Sequence, residues 1–264
     1  MPQQPFNTAA GDLRIGSTDA PGRLFTGAID DVRIYDFARS PAALRETANA
    51  DVVYRFDPGA ETVDSGPNRT TRALKSAAGL GAGTGRDQLL NGALTFDGAA
   101  TTQLQILPVH VLGRKDRPYT MMVWIEPEAV NGTIAHVSGT PAGTGWCVAF
   151  LGLRGGKVVA SSWLPTLSTV SSQVDVTLGT WTHVATTWSS AAGLQLYVNG
   201  ALVNSVAQAT FLASGSPMFV TLGNQGEGTG CGGGSFGSYK GAMDELKIFD
   251  RELTAAEIAA AMNQ

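Results

Sequence analysis

A ten-residue segment occurs twice in this chain. Gly27-Ala28-Ile29-Asp30-Asp31-Val32-Arg33-Ile34-Tyr35-Asp36 reads onto Gly241-Ala242-Met243-Asp244-Glu245-Leu246-Lys247-Ile248-Phe249-Asp250, with Asp30 on Asp244, an offset of 214 residues. The same offset carries Ser40 onto Thr254, Leu44 onto Ile258 and Asn49 onto Asn263 without a gap. Upstream, Leu13-Arg14-Ile15-Gly16 matches Val220-Thr221-Leu222-Gly223 once a short loop difference is allowed. A repeat at a fixed offset defines the folding unit before any other signal is considered. Residues 51–264 span one whole period. The expected organisation is therefore residues 1–50 as the C-terminal strand-helix piece of a preceding copy, and 51–264 as one complete module.

Each copy has a local physical logic. Leu246 and Ile248 alternate with Glu245 and Lys247, the period-two pattern of a half-buried strand. Thr254-Ala255-Ala256-Glu257 is a capping box that opens a short Ala-rich helix. In the first copy, Ser40-Pro41 supplies an N-cap with proline at the first helical position, but Ala43 stands where Glu257 does. Within 51–264, strands are expected at Val52 to Phe56, Leu94 to Phe96, Leu104 to Leu107, Tyr119 to Ile125, Trp146 to Leu151, Val158 to Trp163, Val170 to Val176 and Trp181 to Trp188. Leu194 to Val198 meets Asn199-Gly200, the strongest short hairpin signal, and Ala201 to Val206 returns. About a dozen strands with frequent turns predict an all-β fold, a two-sheet antiparallel β-sandwich jelly roll with a short C-terminal helix.

Composition narrows the function classes. Charged residues make up 15% of the chain and the net charge is −4, so there is no basic footprint for nucleic acid. No apolar run reaches the ~18 residues of a membrane span. Met1 followed by Pro2-Gln3-Gln4-Pro5 reads as an excerpt from a larger array, and the low Lys content fits a secreted surface. Cys147 and Cys231 are either one disulfide of an oxidising compartment or two free buried thiols. If bonded, they close a loop of about 85 residues, worth roughly 4–5 kcal/mol on the chain-entropy account. Neither has a His or second Cys at ligand spacing, which argues against a zinc site.

An ordered set of motifs then carries a resemblance. Tyr54-Arg55-Phe56, Asp64-Ser65-Gly66, Phe96-Asp97-Gly98, Tyr119 to Trp124, Trp181-x-His183-Val184-Ala185, Leu196-Tyr197-Val198-Asn199-Gly200 and the Gly241 to Asp250 segment run in order over residues 51–264. The set is similar to the laminin-G-like jelly-roll modules of the concanavalin A-like lectin and glucanase superfamily. That resemblance implies a secreted or surface-displayed module of a multi-domain protein, binding a glycan or an extracellular protein, with calcium in many members. In the resembling fold the last strand lies beside the first, which would bring Asp244 near the Asp64 turn. Asp64, a carbonyl around Gly66, the amide oxygen of Asn68 and Asp244 then form an oxygen-only set suited to a structural calcium ion. The alternative is that Asp64 and Asn68 make Asx-turns and Asp244 caps backbone amides.

Catalysis is not expected. A glycosidase needs two carboxylates flanking one bond, and no central strand presents such a pair. Glu126 and Glu128 alternate only across Pro127 at a strand end, and His183 has no nucleophile pattern beside it. For ligand binding, Trp163 at a strand end, with Phe236 and Tyr239 at the edge of the glycine-rich stretch 226–237, are the candidate stacking aromatics. Trp163 packed under a loop is the competing reading. An unpaired amphipathic segment at residues 11–50 is expected to seek a sheet edge, so neighbouring modules are candidate partners, with assembly into a fibre, stalk or coat as the alternative function.

Overall fold

The computed structural model describes residues 26–27, 50–66, 71–75, 79–163, 166–215, 217–226, 231 and 236–263. The expected partial copy at 1–50, including the pairing segment 11–50, lies outside these residues apart from 26–27 and Ala50, and so does Asn68 of the expected calcium set.

Fifteen strands are seen among the described residues: β1 (Val52–Tyr54), β2 (Arg72–Lys75), β3 (Leu80–Gly83), β4 (Ala93–Asp97), β5 (Leu104–Val109), β6 (Tyr119–Pro127), β7 (Gly132–Ser138), β8 (Cys147–Arg154), β9 (Lys157–Trp163), β10 (Leu167–Asp175), β11 (Thr182–Ser189), β12 (Gly193–Val198), β13 (Ala201–Val206), β14 (Met218–Leu222) and β15 (Lys240–Phe249). One helix, α1 (Ala255–Ala261), follows. An eight-stranded sheet runs β13-β12-β11-β6-β15-β4-β3, with β1 also paired to β15. A seven-stranded sheet runs β10-β9-β8-β7-β14-β5-β2. The pairings are antiparallel throughout. Among the described residues, no helix is long and apolar enough to cross a membrane.

The two inner faces interdigitate around an aromatic hub that is not itself in a strand. Phe211, fully buried, lies 5.2 Å from the ring of Tyr119, 5.6 Å from Trp188, 6.1 Å from Trp146 and 6.4 Å from Phe150. The β12–β13 hairpin turns as its residues dictate, with Asn199 at φ 49° and Gly200 at φ 78°, the doubly left-handed turn that matches strand twist.

β15 differs from the strict alternation its sequence predicts. Glu245 takes φ 52° and the register against β6 shifts between Asp244 and Lys247, a β-bulge. Because side chains alternate with period two, one extra residue exchanges faces. Met243, Leu246 and Ile248 belong to the inter-sheet core, whereas Asp244 does not share their side: Met122 and Phe249, further along the same outer face, pack under α1. There Val53, Met122, Ala185, Tyr197, Phe249, Leu253 and Ile258 form a second apolar cluster. The predicted capping box is present, with Glu257 N donating to Thr254 Oγ1 at 3.3 Å and Thr254 N to Glu257 Oε2 at 2.8 Å.

Replacing Phe211 by Ala empties the hub. Phe211→Ala is expected to lower the unfolding free energy by about 3–5 kcal/mol, read as a lower urea midpoint at unchanged slope. Thr254→Ala is expected to lower it by about 1 kcal/mol.

Candidate functional site

Asp64 sits in the turn after β1, buried, and its two oxygens are taken up by the chain itself. Oδ1 accepts from Val53 N at 3.1 Å and Gly66 N at 2.9 Å. Oδ2 accepts from Thr71 N at 3.3 Å and Thr71 Oγ1 at 2.6 Å. Asp244 belongs to a different network, with Oδ2 accepting from Arg86 N at 3.1 Å. β1 does lie beside β15, but Val53 stands opposite Lys247, three positions from Asp244, or about 10 Å along a strand. Of the expected calcium set, Asp64 and Asp244 thus fall on two separate networks, with Asp64 the hub of an Asx-type turn, while Asn68 lies outside the described residues.

Asp244 instead closes a lateral row across three strands. Asp244 pairs with Trp124 and Trp124 with His183. The His183 ring lies 5.4 Å from that of Trp124, and the Arg86 guanidinium stands 5.2 Å above the indole. Lys247, 2% exposed, donates to Ala261 O at 3.1 Å and pairs with Glu245 at 3.2 Å, and Trp124 Nε1 donates to Met262 O at 3.1 Å. These bonds fasten the end of α1 to the sheet. His183 is 1% exposed and neither ring nitrogen has a hydrogen-bond partner among the described residues. Burial, aided by Lys247 and Arg86, pushes it down from 6.5 to about 3. Burial pushes Asp244 the other way, from 3.8 up to about 7, against the Arg86 amide that favours its charge.

The candidate aromatics lie mostly inside. Tyr239 is 1% exposed, its hydroxyl donating to Ala242 O at 3.0 Å, and Phe236 is 4% exposed. Phe236 lies against Gly152 so closely that a Cβ there would stand 2.7 Å from the ring, and Arg154 covers it at 4.6 Å. Neither presents a ring face to solvent. Trp163 is half-buried against the core, and its Nε1 donates to Cys147 O at 2.8 Å. Cys147 and Cys231 are bonded, which fixes the β14–β15 connection to the start of β8.

That connection helps to build a cleft which the sequence does not reveal. Ala100, Thr101 and Gln103 from the β4–β5 loop, Pro141 and Ala142 from the β7–β8 loop, and Gly226 enclose about 430 Å³, within the range of small-ligand sites. The three loops are tied together. Asn224 Nδ2 donates to Ala100 O at 2.5 Å and Gln105 Nε2 to Pro141 O at 2.8 Å. Gly226 approaches Ala142 closely, with φ 61°. Among the described residues, the lining holds hydroxyl, amide and backbone groups and no ionisable side chain.

The two shifted groups of the Asp244 row give opposite pH slopes. For His183, folded below unfolded, stability is gained as pH rises from about 3 to 6.5. For Asp244, folded above unfolded, stability is lost as pH rises from 3.8 to about 7. In the native chain the two offset one another between these limits. Asp244→Asn leaves the His183 slope, so its urea midpoint is expected to climb more steeply with pH through that window. His183→Gln is expected to reverse the trend, with stability falling as pH rises.

Comparison with known proteins follows from this architecture. No curated protein matches the sequence. Among solved structures, domain 4 of AbnA, a GH43 extracellular arabinanase from Geobacillus stearothermophilus in complex with arabinotriose, is similar with a TM-score of 0.58 at 18% identity, covering 81% of this chain and 98% of that one. The binding domain of Paraclostridial Mosquitocidal Protein 1 is similar with a TM-score of 0.59 at 15% identity, over 82% of this chain and 52% of that one. The receptor binding domain of botulinum neurotoxin type G gives 0.54 at 14% identity, over 80% and 50%. The chain thus spans about half the length of these two toxin domains, and all three likenesses show a shared fold. Residues 97–259, more than half of the chain, match a laminin-G-type family model, and the chain belongs to that family of the concanavalin A-like lectin/glucanases superfamily.

Proposed function

We propose that this chain is a non-catalytic recognition module that binds a neutral glycan in the cleft between the β4–β5 and β7–β8 loops. The observation that carries the reading is a cleft braced by cross-loop bonds and lined, among the described residues, by Thr101, Gln103 and backbone groups without a charge. A sugar needs several fixed hydroxyl and amide partners, and rigid loops supply them at low ordering cost. Glycoside hydrolysis needs two carboxylates about 5–9.5 Å apart across the bond, and the described lining residues include none. The arabinanase domain of the same fold, solved with arabinotriose, supports a saccharide as the ligand class. The Cys147–Cys231 bond supports an extracellular or cell-surface setting. The sequence repeat supports a tandem array. So does a detail of its first residue: Gly27 and Gly241 take φ 147° and 134°, a region that other residues rarely adopt.

Calcium has no part in this reading, because Asp64 already accepts four protein donors. An array of neutral oligosaccharides followed by titration calorimetry tests the proposal. Thr101→Ala and Gln103→Ala are each expected to weaken binding roughly three- to tenfold. Affinity is expected to stay unchanged by a calcium chelator and by salt. Absence of binding to neutral glycans, or binding that both substitutions leave untouched, would overturn it.

A further inference from the structure

His136, Cys147 and Cys231 converge at the same end of the sandwich, although no spacing in the sequence connects them. β7 and β8 are neighbours, with Ser138 opposite Cys147 and His136 opposite Ala149. Cys231 arrives from the β14–β15 connection, 95 residues after His136. His136 Nε2 lies 4.0 Å from Cys231 Sγ, and the three candidate ligand atoms all lie within 4.8 Å of one another. Among the described residues, this is the one place where three His, Cys, Asp or Glu ligand atoms converge.

The protonation of His136 is informative. The ring is completely buried, and Nε2 lies 2.9 Å from Gly143 O, which can only accept, so Nε2 carries the hydrogen. Nδ1 is buried with no partner. Nothing therefore holds the ring in this tautomer except one carbonyl, and moving the hydrogen to Nδ1 frees the Nε2 lone pair, which lies 4.0 Å from Cys231 Sγ. Gly143 O also lies 3.3 Å from Cys231 Sγ, so the same carbonyl borders both. Cys147 is 7% exposed and Cys231 is half-buried, which leaves Cys231 as the sulfur a reductant can reach.

We propose that reduction of the Cys147–Cys231 bond opens a site for a thiophilic divalent cation of the zinc type, held by His136 Nε2 and the two thiolates. One nitrogen and two sulfurs are the donors zinc prefers, and a site with three protein ligands keeps a fourth position for water. The step balances with a dithiol as reductant. It passes two electrons and two protons to the S–S bond, leaving two thiols, and becomes a cyclic disulfide itself. Zinc then displaces the two thiol protons as the Zn–S bonds form. Oxidation withdraws two electrons, restores the S–S bond and expels the metal. The oxidised chain, in which both sulfurs are committed to each other, does not bind. The site is distinct from the glycan cleft, which does not include these three residues, so either proposal can fail alone.

The test uses the full chain, reduced with a phosphine, freed of reductant and kept anaerobic. Cobalt(II) is added first, as a coloured stand-in for zinc. One equivalent is expected to bind, with a thiolate-to-cobalt charge-transfer band that zinc bleaches, and zinc is expected to protect both thiols from alkylation. The oxidised chain is expected to show neither. His136→Ala and the milder His136→Gln are expected to weaken zinc binding by at least about tenfold, while Cys231→Ser removes most of the charge-transfer intensity. Three outcomes would overturn the proposal. A reduced chain that keeps its near-ultraviolet circular dichroism yet binds no metal is one. Unchanged affinity in both His136 variants is another. The third is loss of the dichroism on reduction without recovery on adding zinc, because the site then has no existence apart from the disulfide.

Discussion

The bulge at Glu245 is the constraint on which the described module most depends. β15 is hydrogen-bonded to β1, β4 and β6, more partners than any other strand of its sheet has. One extra residue in that strand switches which side chains face inward. Met243, Leu246 and Ile248 then reach the inter-sheet core, while Phe249 joins the cluster under α1. Without the switch, Asp244 would stand with Leu246 and Ile248 in the apolar inter-sheet core. With the switch, it meets the Arg86 amide and stands opposite Trp124, and Lys247 reaches the end of α1. The helix thus rests on a strand that serves two cores at once.

The seven-stranded sheet solves a related problem by covering its outer face with a loop. Phe236 lies on Gly152 with Ala149 and Val159 beside it, and the Cys147–Cys231 bond fixes the same connection at the start of β8. That cover removes Phe236 from the surface, while Tyr239 sits in the inter-sheet core against Phe96. It also shifts the accessible binding features to the loop end, where Thr101, Gln103, Pro141 and Ala142 line the cleft. Rigid loops on a sandwich are where recognition concentrates, because the sheets fix their positions while their sequences remain unconstrained by packing.

Most strands were legible because their residues encode the local signal. The Asn199-Gly200 turn, the Thr254 capping box and the apolar run of β6 behave as their sequences predict. Four strands gave no such signal, among them β14, whose Val220–Leu222 stretch was visible only as a repeat match. β2 is four residues long. β3, Leu80–Gly83, is half glycine. β7, Gly132–Ser138, is buried along its whole length and so lacks alternation. The candidate sites were less legible still. Asp64 was visible as a turn residue, but the four donors that occupy its carboxylate come from Val53, Gly66 and Thr71, and only the fold brings them together. The Phe211 hub sits outside any periodic segment, so no pattern could mark it as the centre of the core.

By itself the sequence determined the all-β class, the hairpin, the terminal helix and the repeat, because each rests on residues near one another in the chain. Only the tertiary structure decided which side of β15 Asp244 occupies, that Cys147 bonds Cys231, and that His136 stands beside them. The physical reason is one of range. Turn, cap and alternation signals are set by φ, ψ and side-chain period over a few residues. A bulge, a cross-sheet bond or a three-residue ligand cluster is set by the register of strands as distant in the chain as those of Val52 and Ile248, and that register is fixed only when the two faces pack.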